Sequence, residues 1–277
     1  MELDSKNVLL TGASGGIGNA LALALASQGA QLILAGRNAD RLEALRQKLQ
    51  LALPNAPVPF TVVADLNTEK GRQDIVTRCE QNGIDILINS AGYQSFGLFE
   101  TQSEASLSET LQTNLLAPMA LTHDLLPLLR QRPDADIVNI GSTFGSIGHP
   151  AFVAYCASKF GLRGFSQALR RELSDTGIRV HYLAPRGTKT RLNSPAITAM
   201  NQALGNIMDE PEVVAQVLLA ALRSEKGCDR YIGWPEKLFV RLNCLLPGVV
   251  DRALGKQLIT IRRHATEGST TPEKTAS

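Results

Sequence analysis

A glycine-rich turn near the N-terminus constrains this chain more than any other feature. The apolar run at 7–11 passes directly into Thr11-Gly12-Ala13-Ser14-Gly15-Gly16-Ile17-Gly18, and a helical pattern, IGNALALALASQGA, begins at once. In such a setting Gly12 permits a tight turn, Gly16 lets backbone approach a pyrophosphate, and Gly18 lets the helix pack against the strand. The helix start then offers N–H groups and the positive end of its dipole to phosphate. A merely flexible turn does not require three glycines at this spacing. Residues 11–18 are therefore expected to cradle a dinucleotide.

The remainder of the chain agrees with that expectation. Apolar runs at 7–11, 31–36, 59–65, 84–90, 135–142, 178–185 and 229–234 alternate with helical patterns. The runs are continuously apolar rather than alternating, as strands covered on both faces must be. The pattern predicts an α/β fold: a single Rossmann-like, doubly wound parallel sheet of about seven strands with helices on both faces. Residues 1–235 form this domain, 236–264 an amphipathic helical extension, and 265–277, almost without apolar side chains, a disordered tail.

Composition removes several other classes. With 44% hydrophobic residues and a net charge of +2 over 277 residues, the chain is not a disordered polyelectrolyte and has no strong cationic field for nucleic acid. Cys79, Cys156, Cys228 and Cys244 are scattered without a CxxC pair, so neither a metal site nor a disulfide framework is expected. The start, MELDSKNVLLTG, has no basic region before a long apolar core, and no run of 18 apolar residues occurs. A cytoplasmic protein is expected, with a reservation about 236–264.

The second run ends in Ala35-Gly36-Arg37-Asn38. An NAD site usually places a carboxylate here for the ribose 2′-OH, whereas Gly36 supplies none and Arg37 can pair with a 2′-phosphate. NADP(H) is favoured. Asp65, closing the third run, is placed to accept from the adenine amino group. Asn89-Ser90-Ala91-Gly92 ends the fourth run beside the cofactor.

The chemistry-bearing pair is Tyr155 and Lys159, four residues apart in a helical pattern and so on one face. A neighbouring ammonium favours the phenolate and lowers the tyrosine's pKa toward the working range. Ser142, on the loop after the fifth run, can reach the same point and hydrogen-bond a substrate oxygen. Asn114 lies four residues before Pro118 in a helical pattern; the proline has no N–H, so a kink and a freed Asn114 carbonyl, open to water, are expected.

TGxxxGxG at 11–18, NSAG at 89–92, Asn114, Ser142 and Tyr155-x-x-x-Lys159, in this order, resemble the short-chain dehydrogenase/reductase family over about 230 of the 277 residues. The resemblance implies that Tyr155 is the general acid/base and that Lys159 tunes it and holds the nicotinamide ribose. It also implies that Ser142 positions the carbonyl and that Asn114 supports a proton-relay water. The implied cofactor contacts are Gly12, Ser14, Gly16, Ile17, Gly18, Arg37, Asn38, Asp65, Leu66, Asn89, Ala91, Gly92, Tyr155, Lys159, Pro185, Thr188 and Thr190. One position departs: the family usually carries Pro-Gly after the sixth strand, and here Pro185 is followed by Arg186. Arg186, Lys189 and Arg191 either face an anionic part of the ligand or are solvated.

The implied activity is NADP(H)-dependent interconversion of a ketone and a secondary alcohol. Phe96, Phe99, Phe144, Ile147 and Phe152, with 186–210 as a lid, suggest a hydrophobic carbonyl substrate such as a 3-oxoacyl or ketosphingoid-like lipid. A steroid or polyol dehydrogenase and a non-catalytic NADP-binding regulator are the alternatives. The family also implies a homodimer or homotetramer. Residues 236–264 carry six basic and two acidic side chains with leucines at helical spacing. They either lie on a membrane surface, fold over the cleft, or pair with a second subunit.

Overall fold

The computed structural model describes residues 2–268. Seven strands form one all-parallel sheet: β1 (Asn7–Thr11), β2 (Gln31–Gly36), β3 (Phe60–Val63), β4 (Ile86–Asn89), β5 (Ala135–Ile140), β6 (Ile178–Ala184) and β7 (Asp229–Tyr231). Their spatial order is β3-β2-β1-β4-β5-β6-β7. The chain winds outward from β1 in one direction, returns, and winds outward again from β4. The crevice at that reversal, outside the carboxyl ends of β1 and β4, is where doubly wound sheets bind ligands.

Burial on both faces follows from the strand sequences. Val8 and Leu10 of β1 face a layer made by α1 (Gly16–Ala26), α2 (Ala39–Ala52) and α8 (Pro211–Leu222). Leu9, between them, faces the opposite layer of α3 (Glu69–Asn82), α5 (Ala117–Leu129) and α6 (Val153–Glu172). The pleat alternates sides at every residue, so a strand buried on both faces must be apolar throughout.

Helix α4 (Glu104–Leu111) runs into α5 through a π-helical turn, Gln112–Leu116. Pro118 sits in the first turn of α5 and lacks an N–H. The chain meets that loss by widening one turn, and Ala117 N–H reaches back five residues to the Gln112 carbonyl. The break in the helix expected before this proline takes the form of a π-helical turn.

Beyond the sheet, α7 (Pro195–Ala203), α9 (Glu236–Leu245) and α10 (Pro247–Gly268) pack over the carboxyl edge. Ile261 and Ala265 of α10 are fully buried against Ile197 and Met200 of α7, in one apolar cluster with Phe96, Phe152 and Tyr155. Helix α10 thus continues through Ala265 to Gly268, into the segment expected to be without structure; residues 269–277 lie outside the described part.

Candidate active site

At the carboxyl edge, the turn after β1 is shaped by close contacts. Gly12 has φ +63°, and a Cβ there would stand 2.7 Å from the Ala91 backbone. Thr11 Oγ1 accepts from the Ser90 and Ala91 N–H groups at 3.0 and 3.2 Å, tying this turn to the end of β4. A Cβ on Gly16 would strike the Thr190 side chain at 2.7 Å, so the loop after β6 closes on the same turn. The N-terminus of α1 receives no side-chain cap from Gly15. An uncapped helix start, ringed by backbone that no Cβ obstructs, suits a pyrophosphate. The residues present fit a dinucleotide.

At the adenosine end, a Cβ on Gly36 would make only ordinary contacts, 3.4 Å to Leu42 and 3.5 Å to Ser14 Oγ. Arg37 lies 4.0 Å from Glu109. Asn38 caps α2, its side chain accepting from Arg41 N–H at 2.8 Å. Asp65 accepts from Asn67 N–H at 3.0 Å and Leu66 offers its carbonyl to Arg72. The Asn89 side chain turns inward, donating to Asn139 and Thr122, and Asn139 donates to Ser166 on α6. This buried polar ladder carries no periodic signal in the sequence.

Tyr155 and Lys159 lie on one face of α6, both buried, at 8% and 5% exposure. The rings of Phe144 and Phe152 stand edge-on to Tyr155 at 6.4 and 6.3 Å between centroids. Burial pushes the Tyr155 phenol up to about 12, and the Ser142 side-chain hydrogen bond opposes that rise. The Lys159 ammonium donates to the Ile140 carbonyl at 3.0 Å and stands 5.7 Å from the Tyr155 ring centroid. Desolvation dominates Tyr155, whose shift carries no downward contribution from Lys159, and it also lowers Lys159 itself to about 8.

Asn114 contributes its side chain. It accepts from Tyr93 N–H at 2.8 Å, donates to the Tyr93 carbonyl at 2.7 Å, and donates to Ser158 Oγ at 3.0 Å. The π-helical turn thus clasps the loop after β4 and helix α6 together.

A cavity of about 310 Å³ opens on this group. Ser142, Tyr155, Ile17, Thr188 and Thr190 line its floor, while Ile197 and Met200 of α7, Phe239 and Leu242 of α9, and Val249, Val250 and Leu254 of α10 form its walls. Phe144, Ile147 and Phe152 line it as expected. Phe96 instead packs behind the wall, 4.9 Å from Phe152, and Phe99 is exposed in a 3-10 turn. Helical spacing alone could not show that α9 and α10 turn apolar residues to the cavity.

Arg186 lies at the edge of this cavity, and its guanidinium is held by carboxylates. It makes a bidentate pair with Asp209 at 2.7 and 2.9 Å, reaches Glu236 of α9 at 3.1 Å, and donates to the Trp234 carbonyl. Lys189 pairs with Glu210, and Arg191 is exposed. A charge in the expected glycine position thus latches the loop after β6 to the extension.

Residues 6–201 match the family model of the short chain dehydrogenases. The chain belongs to that family. Dehydrogenase/reductase SDR family member 7B of Bos taurus is 35% identical over 266 residues, 90% of this chain and 80% of its own. The ketoacyl reductase HetN of Nostoc sp. is 33% identical over 234 residues, covering 80% and 77%. The NADP-dependent 3-hydroxy acid dehydrogenase of Schizosaccharomyces pombe is 31% identical over 229 residues, covering 79% and 88%. A crystal structure of a short-chain type dehydrogenase/reductase from Mycobacterium marinum superposes with a TM-score of 0.75 at 25% identity, over 83% of this chain and 95% of that one. This short-chain dehydrogenase is thus an oxidoreductase acting between CH–OH and C=O with an NAD(P) nucleotide. No helix among its described residues is long and apolar enough to cross a membrane.

Proposed function

We propose that this enzyme uses NADP(H) to reduce a hydrophobic ketone, of 3-oxoacyl or ketosphingoid-like type, to a secondary alcohol. The observation that carries the reading is Tyr155 and Ser142 at the floor of an apolar cavity walled by α7, α9 and α10. Such walls reward an aliphatic chain with burial and offer a polyol little. A relative named for ketoacyl reduction and another named for NADP-dependent 3-hydroxy acid oxidation support the substrate class. Gly36, which brings no carboxylate to the 2′ position, supports the cofactor.

In this reading the bound nicotinamide supplies or accepts the hydride. The residues named as cofactor contacts would hold it, the backbone of the Gly12–Gly18 turn at its pyrophosphate and Lys159 at its nicotinamide ribose. Ser142 donates to the carbonyl oxygen and Tyr155 delivers its proton. A phenol held near 12 is fully protonated at neutral pH, ready to act as an acid in the direction of reduction. Lys159, near 8, keeps its charge at pH 7 and stabilises the phenolate left behind. Asn114 supports the proton relay by fixing the Tyr93 loop against α6.

Two surfaces extend the reading. Leu245 and Leu246 are exposed at the α9–α10 junction, and Lys237, Arg241, Arg252 and Lys256 are exposed on the same two helices, a composition suited to peripheral contact with anionic lipid. Leu116, Met119, Val153 and Phe160 are exposed on the helices around α5 and α6, an apolar face suited to a second subunit.

The test is NADPH and NADH oxidation against 3-oxoacyl, sphingoid, steroid and simple ketones, with and without liposomes. Tyr155→Phe should abolish turnover. Unchanged turnover in that variant would exclude this mechanism, and nucleotide binding without any turnover would favour a regulator.

A further inference from the structure

We propose that Tyr182, on β6, is the positioning residue for Ser142: its phenol grips the serine's backbone at N and O and thereby aims the serine hydroxyl at Tyr155. The inference rests on the reading of Ser142 and Tyr155 as the reacting pair.

The loop after β5 hangs on the neighbouring strand at alternate residues. Gly141 N–H donates to the Leu183 carbonyl at 2.7 Å and Thr143 N–H to the Pro185 carbonyl at 3.0 Å. Ser142, between them, points its N–H elsewhere. That N–H donates to Tyr182 Oη at 3.2 Å, and the same hydroxyl donates to the Ser142 carbonyl at 3.0 Å. One phenol therefore acts as acceptor and donor on a single residue, which only its protonated form can do. Tyr182 is fully buried, and burial drives its ionisation well above the usual tyrosine range. The grip persists at every working pH.

The surroundings are built for this ring. A Cβ on Gly141 would fall within the Tyr182 ring, and one on Gly145 on its hydroxyl. Both glycines flank Ser142, and the room they leave is the room the phenol fills. The Gly145 site also lies against the backbone of Lys159, so serine loop, phenol and catalytic helix are in one packed group. With its backbone held, Ser142 accepts at Oγ from Phe144 N–H at 3.1 Å, and its side chain lines the same cavity as Tyr155 and draws the phenol's pKa down. The hydroxyl's direction is set by the backbone from which it hangs. A buried tyrosine is ordinarily a core filler; here both hydrogen bonds described for its hydroxyl go to the residue whose aim matters.

Tyr182→Phe keeps the ring and deletes the grip. With NADPH and ethyl acetoacetate as the probe, kcat should fall about 10- to 100-fold while KM stays within about threefold. The alkaline limb of the reduction profile should move up, because a loosened Ser142 no longer stabilises the Tyr155 phenolate. The decisive measurement is a double-mutant cycle. Ser142→Ala should cost about 100-fold or more in the wild type and under about tenfold beside Tyr182→Phe. Additive losses, as a merely structural tyrosine would give, overturn the proposal. If Ser142→Ala alone leaves kcat unchanged, the catalytic reading falls and the inference with it; additivity with an impaired Ser142→Ala sinks the inference alone. A measurement on the wild type needs neither turnover nor a variant that folds. The Ser142 amide should resist hydrogen exchange as strongly as those of Gly141 and Thr143, and rapid exchange there would equally overturn the grip.

Discussion

Lys159 places its ammonium 5.7 Å from the Tyr155 ring centroid while donating to the Ile140 carbonyl, so a full charge sits in a nearly dry site beside the phenol. Holding that charge costs stability, and the sign follows from its pKa. Lys159 titrates near 8 folded, against 10.5 as the ordinary value, so between those limits the unfolded chain binds more protons. Stability therefore rises as pH goes from about 8 to 10.5, and the cost is greatest below 8. Lys159→Met should abolish turnover and yet raise stability at pH 7 by about 1–3 kcal/mol. Thermal melts at pH 7 and pH 10 check this: the gain should shrink at the higher pH, and a pH-independent difference would refute it.

Tyr155 titrates in the opposite sense. Its folded pKa, near 12, exceeds the ordinary 10, so its burial favours the fold below pH 10 and that advantage is lost from about 10 to 12. Tyr155→Phe should lower reductase turnover by at least about 100-fold and flatten this alkaline loss. Stopped-flow NADPH oxidation and alkaline denaturation read the two effects separately.

Gly36 offers a direct test of cofactor choice. A Cβ there meets Leu42 and Ser14 only at ordinary contact distance, so a carboxylate can be introduced without displacing backbone. Gly36→Asp should shift the ratio of kcat/KM for NADPH over NADH by about tenfold or more toward NADH. Arg37→Ala should weaken NADPH selectively. Equal effects on both nucleotides would remove the argument for a 2′-phosphate site.

Arg186 joins three segments, holding Asp209, Glu236 and the Trp234 carbonyl. Arg186→Gly, which restores the residue expected from the family pattern, leaves two half-buried carboxylates unpaired and should cost about 1–3 kcal/mol. Limited proteolysis should then cut within 236–264 sooner than in the wild type. Unaltered cleavage would show that the latch does not hold the extension.

Leu245 and Leu246 are 79% and 57% exposed near cationic side chains. Converting both to Asp should reduce binding to vesicles containing phosphatidylserine by about tenfold, read by flotation, without touching the cavity walls. Retained binding would assign the apolar tip to another partner.

Much of this enzyme is legible along the chain, because its determinants are local. Seven apolar runs foretell seven strands: a residue buried on both sides of a sheet is apolar wherever the sheet is later placed. Gly12 and Gly18 announce the turn because only glycine tolerates such approach, and Tyr155 and Lys159 share a face because a helix repeats every few residues. What the chain could not reveal depends on contacts between distant residues. Arg186 finds Asp209 and Glu236, Asn114 finds Tyr93 and Ser158, and Tyr182 finds Ser142, each across segments that meet only when the sheet is wound. The tyrosine–lysine pair is the plainest case. Its spacing established proximity, but the direction of the tyrosine's pKa was decided by Phe144, Phe152 and the helices that exclude water around it. Desolvation is a property of the whole packed site, and no stretch of sequence carries it alone.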